Sequence, residues 1–153
     1  MPESASPLKA RITEDMKSAM RAGEKERLAT IRLILAAIKQ VEVDTRTALS
    51  DEDLIPLLDK MCKQRRESIE QYEQADREDL AAKERQELEI IQTYLPAQLS
   101  AEEIDALISE AIAQTGAESV RDMGKVMGII KPRAQGRADM GAVSAQIKAR
   151  LSG

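Results

Sequence analysis

Apolar side chains recur at intervals of three and four residues along almost the whole chain. Around residue 35, for example, Ile31, Leu35 and Ile38 follow this spacing, which places them on one face of an α-helix. The chain has two tyrosines and neither Phe nor Trp, so the aromatic residues that favour strands are scarce. The pattern therefore predicts an all-α protein.

The starts and ends of the helical segments divide the chain into two parts. Residues 1–96 are predicted to form an N-terminal bundle of about four helices that includes long antiparallel helices. The predicted helices cover residues 8–22, 24–44, 50–74 and 77–94. Pro56 leaves the start of the third helix open, since that helix begins either at a Ser50 cap or near Ile55.

Pro96 ends the fourth helix, and residues 97–153 are predicted to form a small three-helix C-terminal domain. Each of these helices has fewer than about 14 residues and would be marginal alone in water, so the three must pack together. Pro132 and Gly136 predict a loop over residues 131–137 before the last helix.

Several classes of active site are excluded by composition. The chain has no histidine, which removes Ser-His and Cys-His nucleophile pairs and zinc sites that contain histidine. Cys62 is the single cysteine, and its apolar neighbours predict a buried structural thiol. Glu84 and Glu87 lie three residues apart, but that spacing is commonplace on charged helices. We expect no catalytic residues, no metal site and no cofactor.

No apolar run approaches the roughly 18 residues of a membrane-spanning helix. The first ten residues contain no hydrophobic core of a signal peptide. These two observations lead us to expect no membrane association and a cytoplasmic location.

A segment near the C-terminus carries net positive charge, although the whole chain has a formal net charge of −4. Between residues 121 and 150 there are seven basic and two acidic side chains. On a helical wheel, Gly124 and Gly128 fall opposite the apolar stripe that contains Val126 and Ile130. Each glycine costs about 0.5–1 kcal/mol relative to alanine within a helix, so their presence asks for an explanation.

Two explanations remain open at this stage. In the first, the two glycines pack against the long helices of the N-terminal bundle, or Gly128 ends its helix. In the second, they let an external backbone approach a bare basic surface. The second explanation predicts phosphate contacts. The predicted RNA-binding set is Arg121, Gly124, Lys125, Gly128, Lys131, Arg133, Gly136 and Arg137.

Several stretches, in their order and spacing, resemble the GatB/YqeY family. The stretches are TIRLILAAIK at 30–39, KQRRESIEQY at 63–72, YLP at 94–96, MGKVMGIIK at 123–131 and GRAD at 136–139. The last two are similar to the tail domain of the B subunit of glutamine-dependent aspartyl/glutamyl-tRNA amidotransferases. The resemblance covers nearly the whole chain.

The resemblance implies a two-module helical fold and kinship with an enzyme that amidates amino acids on mischarged tRNA. It associates the chain with carbon–nitrogen ligase activity that uses glutamine as the amide donor. This chain lacks the P-loop pattern of an ATP site, so such activity belongs to a partner. We therefore expect a non-catalytic accessory protein that binds tRNA or another structured RNA, and no DNA.

The alternative is a helical protein–protein interaction module. It would dock an aminoacyl-tRNA synthetase or an amidotransferase subunit through polar residues on the long helices. The predicted partner-binding residues are Arg32, Lys39, Lys63 and Arg66. The competing interpretation of each is an ion pair with an acidic residue one helical turn away.

Overall fold

A computed structural model of the chain describes residues 6–152. Residues 1–5, on which part of the expectation about a signal peptide falls, lie outside the described residues. Over the described range the regular structure is helical, and an isolated bridge between Gln135 and Ala138 is its single β-type pairing. The prediction of an all-α fold is confirmed.

The chain divides into two compact units, Met1–Leu95 and Pro96–Gly153. The first unit contains α1 (Pro7–Ala22), α2 (Lys25–Thr45), α3 (Asp51–Gln74) and α4 (Glu78–Gln92). The second unit contains α5 (Ala101–Thr115), a 3₁₀ turn (Val120–Asp122), α6 (Met123–Ala134) and α7 (Met140–Ser152).

Local capping chemistry sets many of these helix ends. The hydroxyls of Ser50, Ser100 and Ser119 each accept a hydrogen bond from a backbone N–H. In each case the carboxylate three residues later accepts a hydrogen bond from the serine's own N–H. This capping box satisfies backbone donors that the first helical turn leaves without partners. Gly23 and Gly116 end α1 and α5 with φ values of 71° and 67°, a left-handed conformation that glycine adopts without a Cβ penalty.

Pro56 lies inside α3 and does not mark its start. The capping box at Ser50 begins the helix at Asp51, and the helix continues through the exposed Pro56. Asp51 also accepts hydrogen bonds from the Ser6 hydroxyl at 2.6 Å and the Leu8 N–H at 3.2 Å. The start of α3 is therefore tied to the start of α1, which helps to offset the backbone bond that proline removes.

The core of the first unit is aliphatic, and α3 and α4 make its most extensive contact. Its fully buried large side chains include Ile12, Ile31, Ile34, Ile38, Leu54, Leu58 and Ile91. Between α3 and α4, Arg65 donates from Nε to a Glu87 carboxylate oxygen at 3.3 Å, and both side chains are largely buried. This ion pair is buried within the helix interface. Removal of either side chain would leave the other charge buried without a partner, which lowers the stability of the fold.

The core of the second unit is formed by the inner faces of α5, α6 and α7. Its buried residues are Ile108, Ala111, Val126, Ile130, Ala134, Ala138, Val143, Ile147 and Leu151. Asp139 accepts the Gly141 N–H at 3.1 Å through its side chain and the Val143 N–H at 3.0 Å through its carbonyl. Through these bonds Asp139 caps the start of α7.

The predicted loop over residues 131–137 is partly wrong, because α6 continues through Pro132 and ends at Ala134. Pro132 is exposed, so the carbonyl one turn earlier that loses its partner can bond to water. The added turn buries Ala134 beside Val126 and Ile130. Burial of that apolar side chain favours the extra turn over an earlier end.

Candidate nucleic-acid interface

The outer side of α6 and the 3₁₀ turn before it carry two glycines and three cations, which we call the glycine face: Arg121, Gly124, Lys125, Gly128 and Lys131. All five residues are exposed. Val126 and Ile130 on the opposite side are fully buried, since the three-residue and four-residue spacing of the apolar stripe fixes the rotation of the helix. The structure therefore turns the predicted basic side of α6 outward.

Within the second unit, no neighbouring element packs against the two glycines. A Cβ built on Gly124 or Gly128 would meet no heavy atom within 4 Å beyond the adjoining helix backbone. Both residues lie within the regular helix, and neither has the positive φ that favours glycine. Within the second unit, close packing of another helix therefore does not explain the two glycines, and α6 does not end at Gly128.

The three cations of the glycine face project into solvent. Lys125 is 70% exposed, and its ammonium lies 3.9 Å from an Asp122 carboxylate oxygen. Asp122 accepts N–H bonds from Glu118 and Ser119, and these bonds lower the pKa of its carboxyl. Because an exposed pair at that distance is weak, Lys125 keeps most of its ability to attract a phosphate.

Two arginines predicted for RNA binding have partners within their own unit. Arg133 approaches a Glu110 carboxylate oxygen at 3.4 Å, and it lies half a turn around α6 from Gly124. Arg137 is half-buried and donates from Nε to the Ala97 carbonyl at 3.0 Å. The structure therefore separates these two side chains from the glycine face.

Gly136, also predicted for RNA binding, is buried and has a φ of 79°. Its carbonyl accepts a bond from the Gln98 side-chain amide at 2.9 Å. The positive φ explains why glycine occupies this turn. Burial removes Gly136 from the surface, so its role is to shape the connection between α6 and α7.

The predicted partner-binding residues lie on two helices. Arg32 and Lys39 are exposed on α2, while Lys63 is exposed and Arg66 half-buried on α3. Within residues 6–152 no hydrogen bond or ion pair is formed by any of these four side chains. The ion pairs one turn away that the sequence offered as an alternative do not form.

Cys62 and the Glu84–Glu87 pair lie in the helical packing of the first unit. Cys62 is fully buried, and burial raises the pKa of its thiol to about 11, so the thiolate is scarce at neutral pH. Burial and the neighbouring Glu87 raise the pKa of Glu84, while Glu87 is held by Arg65. Among the described residues no group of acids and cysteine is arranged to hold a metal ion.

In the described part of the chain, no helix combines the length and apolar character needed to cross a bilayer.

Comparisons with known proteins find fungal relatives over much of this chain. The chain is 36% identical to "Altered inheritance of mitochondria protein 41, mitochondrial" of Pyrenophora tritici-repentis, over 84% of this chain and 71% of the relative. It is 40% identical to the protein of the same name in Vanderwaltozyma polyspora, over 65% of this chain and 55% of the relative. The match in Eremothecium gossypii is 38% identical and covers 71% of this chain and 63% of the relative.

The names of these relatives contradict the expectation of a cytoplasmic location, since each is called mitochondrial. That expectation is wrong. It rested on the lack of a long apolar segment and of a signal-peptide core, and neither observation distinguishes the cytoplasm from the interior of an organelle.

A family model described as "Yqey-like protein" matches residues 9–151. The match includes α1 from its third residue onward, all the other helices up to α7, and the whole glycine face. The resemblance inferred from the sequence motifs is confirmed, and the chain belongs to the Yqey-like protein family.

Proposed function

We propose that this chain is a non-catalytic accessory protein that binds structured RNA, with tRNA the first candidate, through the glycine face of α6. One observation carries the proposal: Gly124 and Gly128 lie on an exposed helical surface where nothing in the second unit packs against them. The adjacent Arg121, Lys125 and Lys131 supply positive charge.

The chemistry of this face suits phosphate more than bases. Two residues without side chains leave a shallow surface that a nucleic-acid backbone approaches closely, and flanking cations bind its phosphates. Both tyrosines, Tyr72 and Tyr94, belong to the first unit, so the second unit offers no aromatic ring for stacking a base. Recognition therefore depends on the shape and charge of the RNA.

The resemblance to the amidotransferase tail supports tRNA as the target. In that interpretation the chain presents or holds a tRNA while a partner enzyme carries out carbon–nitrogen bond formation with glutamine as the amide donor. The partner is an amidotransferase subunit or an aminoacyl-tRNA synthetase. The absence of histidine and the buried, protonated Cys62 support a role that does not include the chemical step.

The test compares tRNA affinity for the wild type and two matched variants by fluorescence anisotropy at low salt. Lys125→Gln with Lys131→Gln removes two phosphate contacts and should weaken binding by about tenfold or more. Lys148→Gln, at an exposed position of α7, is the control and should change the affinity less than about twofold. The proposal fails if tRNA does not bind, or if the control loses as much affinity as the double variant.

A further inference from the structure

The outward side of α2 carries a row of mostly apolar residues that the first unit leaves exposed. The residues follow alternating four-residue and three-residue intervals, and we call them the α2 seam: Ala29, Leu33, Ala36, Gln40 and Val43. Leu33 is 46% exposed and Val43 60% exposed. They are two of four large apolar side chains with such exposure in residues 6–152, and both lie on this one face.

This spacing is the one by which two helices pack along a heptad repeat. The opposite face of α2 already forms the core, since Ile31, Ile34 and Ile38 are fully buried. The α2 seam therefore adds a second apolar face to the helix, which is typical of a helix with neighbours on both sides. It runs over 15 residues, from Ala29 to Val43, or roughly 21 Å along the helix axis.

A row of cations borders the α2 seam on one edge. Lys25, Arg32 and Lys39 are seven residues apart, so they align along the helix at steps of roughly 10 Å. All three are exposed and form no ion pair within the described chain. Lys9, by contrast, contacts the Glu42 carboxylate at 2.8 Å beside the same helix. Acids also line grooves next to Lys25 and Lys39, but within the described residues none forms an ion pair with the row.

The N-terminal end of the α2 seam opens onto a groove between α2 and α4. Its volume is about 560 Å³, and Ala29, Ala82 and Gln86 are among the residues that line it. Two alanines on facing helices leave room for a third backbone to approach closely, and a side chain of that third helix would fill the groove.

We propose that the α2 seam docks a helix from another protein. The occupant is an amphipathic helix of about four turns with small apolar side chains toward α2. A row of Asp or Glu along one edge of the occupant meets Lys25, Arg32 and Lys39. Charge complementarity carries the choice of occupant, because three cations in one row would otherwise remain without partners against an apolar interface.

A second copy of this chain fits the row less well. An antiparallel pair of α2 helices places the three cations of one copy against the same three cations of the other, which is repulsive. A parallel pair places the row against the opposite edge of α2, where Asp44 is the one acid in register with it. Either arrangement leaves most of the row without partners.

The probe is a fluorescein-labelled synthetic helix of 21 residues with Leu and Ala at the heptad seam positions and Glu along the facing edge. A matched peptide carries Lys in place of each Glu. We expect the acidic peptide to bind the full chain in anisotropy titrations at least about tenfold more tightly than the basic peptide. Arg32→Glu with Lys39→Glu should reverse that preference.

Two substitutions at similarly exposed apolar positions separate docking from general loss of structure. Leu33→Asp should weaken binding of the acidic peptide by about tenfold or more. Met20→Asp, at a position 49% exposed on α1, should change it less than about twofold. Circular dichroism checks that both variants remain helical, and unchanged tRNA binding by Leu33→Asp would separate this surface from the glycine face.

Three results would overturn the proposal. The first is no binding of the acidic peptide, or equal binding of both peptides. The second is a dimer in sedimentation equilibrium that Leu33→Asp dissociates without any peptide binding, which would assign the α2 seam to a second copy. The third is loss of tRNA binding in the Arg32→Glu and Lys39→Glu variant without peptide binding, which would assign the cation row to RNA.

Discussion

Gly124 and Gly128 occupy helical positions at which alanine would be more stable in the isolated chain. Replacement of either by alanine should stabilise α6 by about 0.5–1 kcal/mol, because the added methyl group meets no other atom within 4 Å. Amide hydrogen exchange within α6 should slow by about two- to fivefold per substitution, as that free energy dictates.

The same substitutions should weaken tRNA binding, since each methyl group holds an approaching phosphate backbone away from the helix. Gly141→Ala is the control: this glycine is exposed at the start of α7, and a Cβ there would lie 3.4 Å from the Asp139 carboxylate. It should leave tRNA affinity unchanged. Stabilised variants that bind tRNA as tightly as the wild type would remove the functional reason for the two glycines.

Glu84 is a second residue whose energetics can be tested. Burial and the charge of Glu87 raise its pKa, while Arg65 and Lys83 lower it. Because the folded-state pKa exceeds the unfolded value, stability from this group is present below the unfolded pKa and is lost as pH rises through the folded pKa.

Glu84→Gln should therefore raise the urea midpoint of the first unit at pH 7, and the difference should disappear near pH 3, where the wild-type carboxyl is protonated in both states. Tyrosine fluorescence follows this unit, because Tyr72 and Tyr94 both belong to it. A variant that is less stable than the wild type at pH 7 would show that the Arg65 and Lys83 charges outweigh burial.

At the scale of the helix, Pro56 lies inside α3 although proline disfavours the interior of a helix. Pro56→Ala should stabilise the first unit by about 1–2 kcal/mol. The substitution restores a backbone hydrogen bond in an exposed part of α3. It also makes the unfolded chain more flexible, which offsets part of that stabilisation. Urea unfolding followed by tyrosine fluorescence measures the change.

Pro7→Ala provides the matched control, because Pro7 stands at the first position of α1, where a helix needs no N–H bond. This substitution should be neutral or slightly destabilising. Equal effects of the two substitutions would mean that the position of proline within the helix does not govern its cost here.

The helices that were predicted well from the sequence are those whose ends are set by capping residues close by in the chain. Ser50, for example, is a capping residue that acts within three positions along the chain, and the boundaries predicted for α1 to α4 agree with the structure to within a residue or two. The end of α6 was missed because burial of Ala134 in the second core outweighs the local effect of Pro132.

The candidate site was predicted in part for a similar reason. The exposure of Gly124 and Gly128 follows from helical periodicity, which the sequence displays. The partners of Arg133 and Arg137 are Glu110 and the Ala97 carbonyl, and these lie 23 and 40 residues away in the chain. Contacts at that separation depend on the tertiary fold and cannot be predicted from a local sequence pattern.

For the whole molecule, the distribution of charge decides how RNA binding must depend on salt. The protein carries a formal net charge of −4, so long-range attraction to RNA is absent and binding rests on local cations. On the proposed function, Arg121, Lys125 and Lys131 would provide about three phosphate contacts, whereas the larger set predicted from sequence would provide more. Each contact releases roughly 0.7–0.9 counterions.

The logarithm of the tRNA association constant should therefore fall against the logarithm of salt concentration with a slope of about −2 to −3. Arg121→Gln should reduce that slope by nearly one unit, while Arg133→Gln, which removes a cation paired with Glu110, should leave it almost unchanged. Anisotropy titrations between about 20 and 200 mM KCl measure the slope over a range in which screening changes strongly. A slope near −5, or an equal effect of the two arginine substitutions, would mean that cations outside the glycine face contact the RNA.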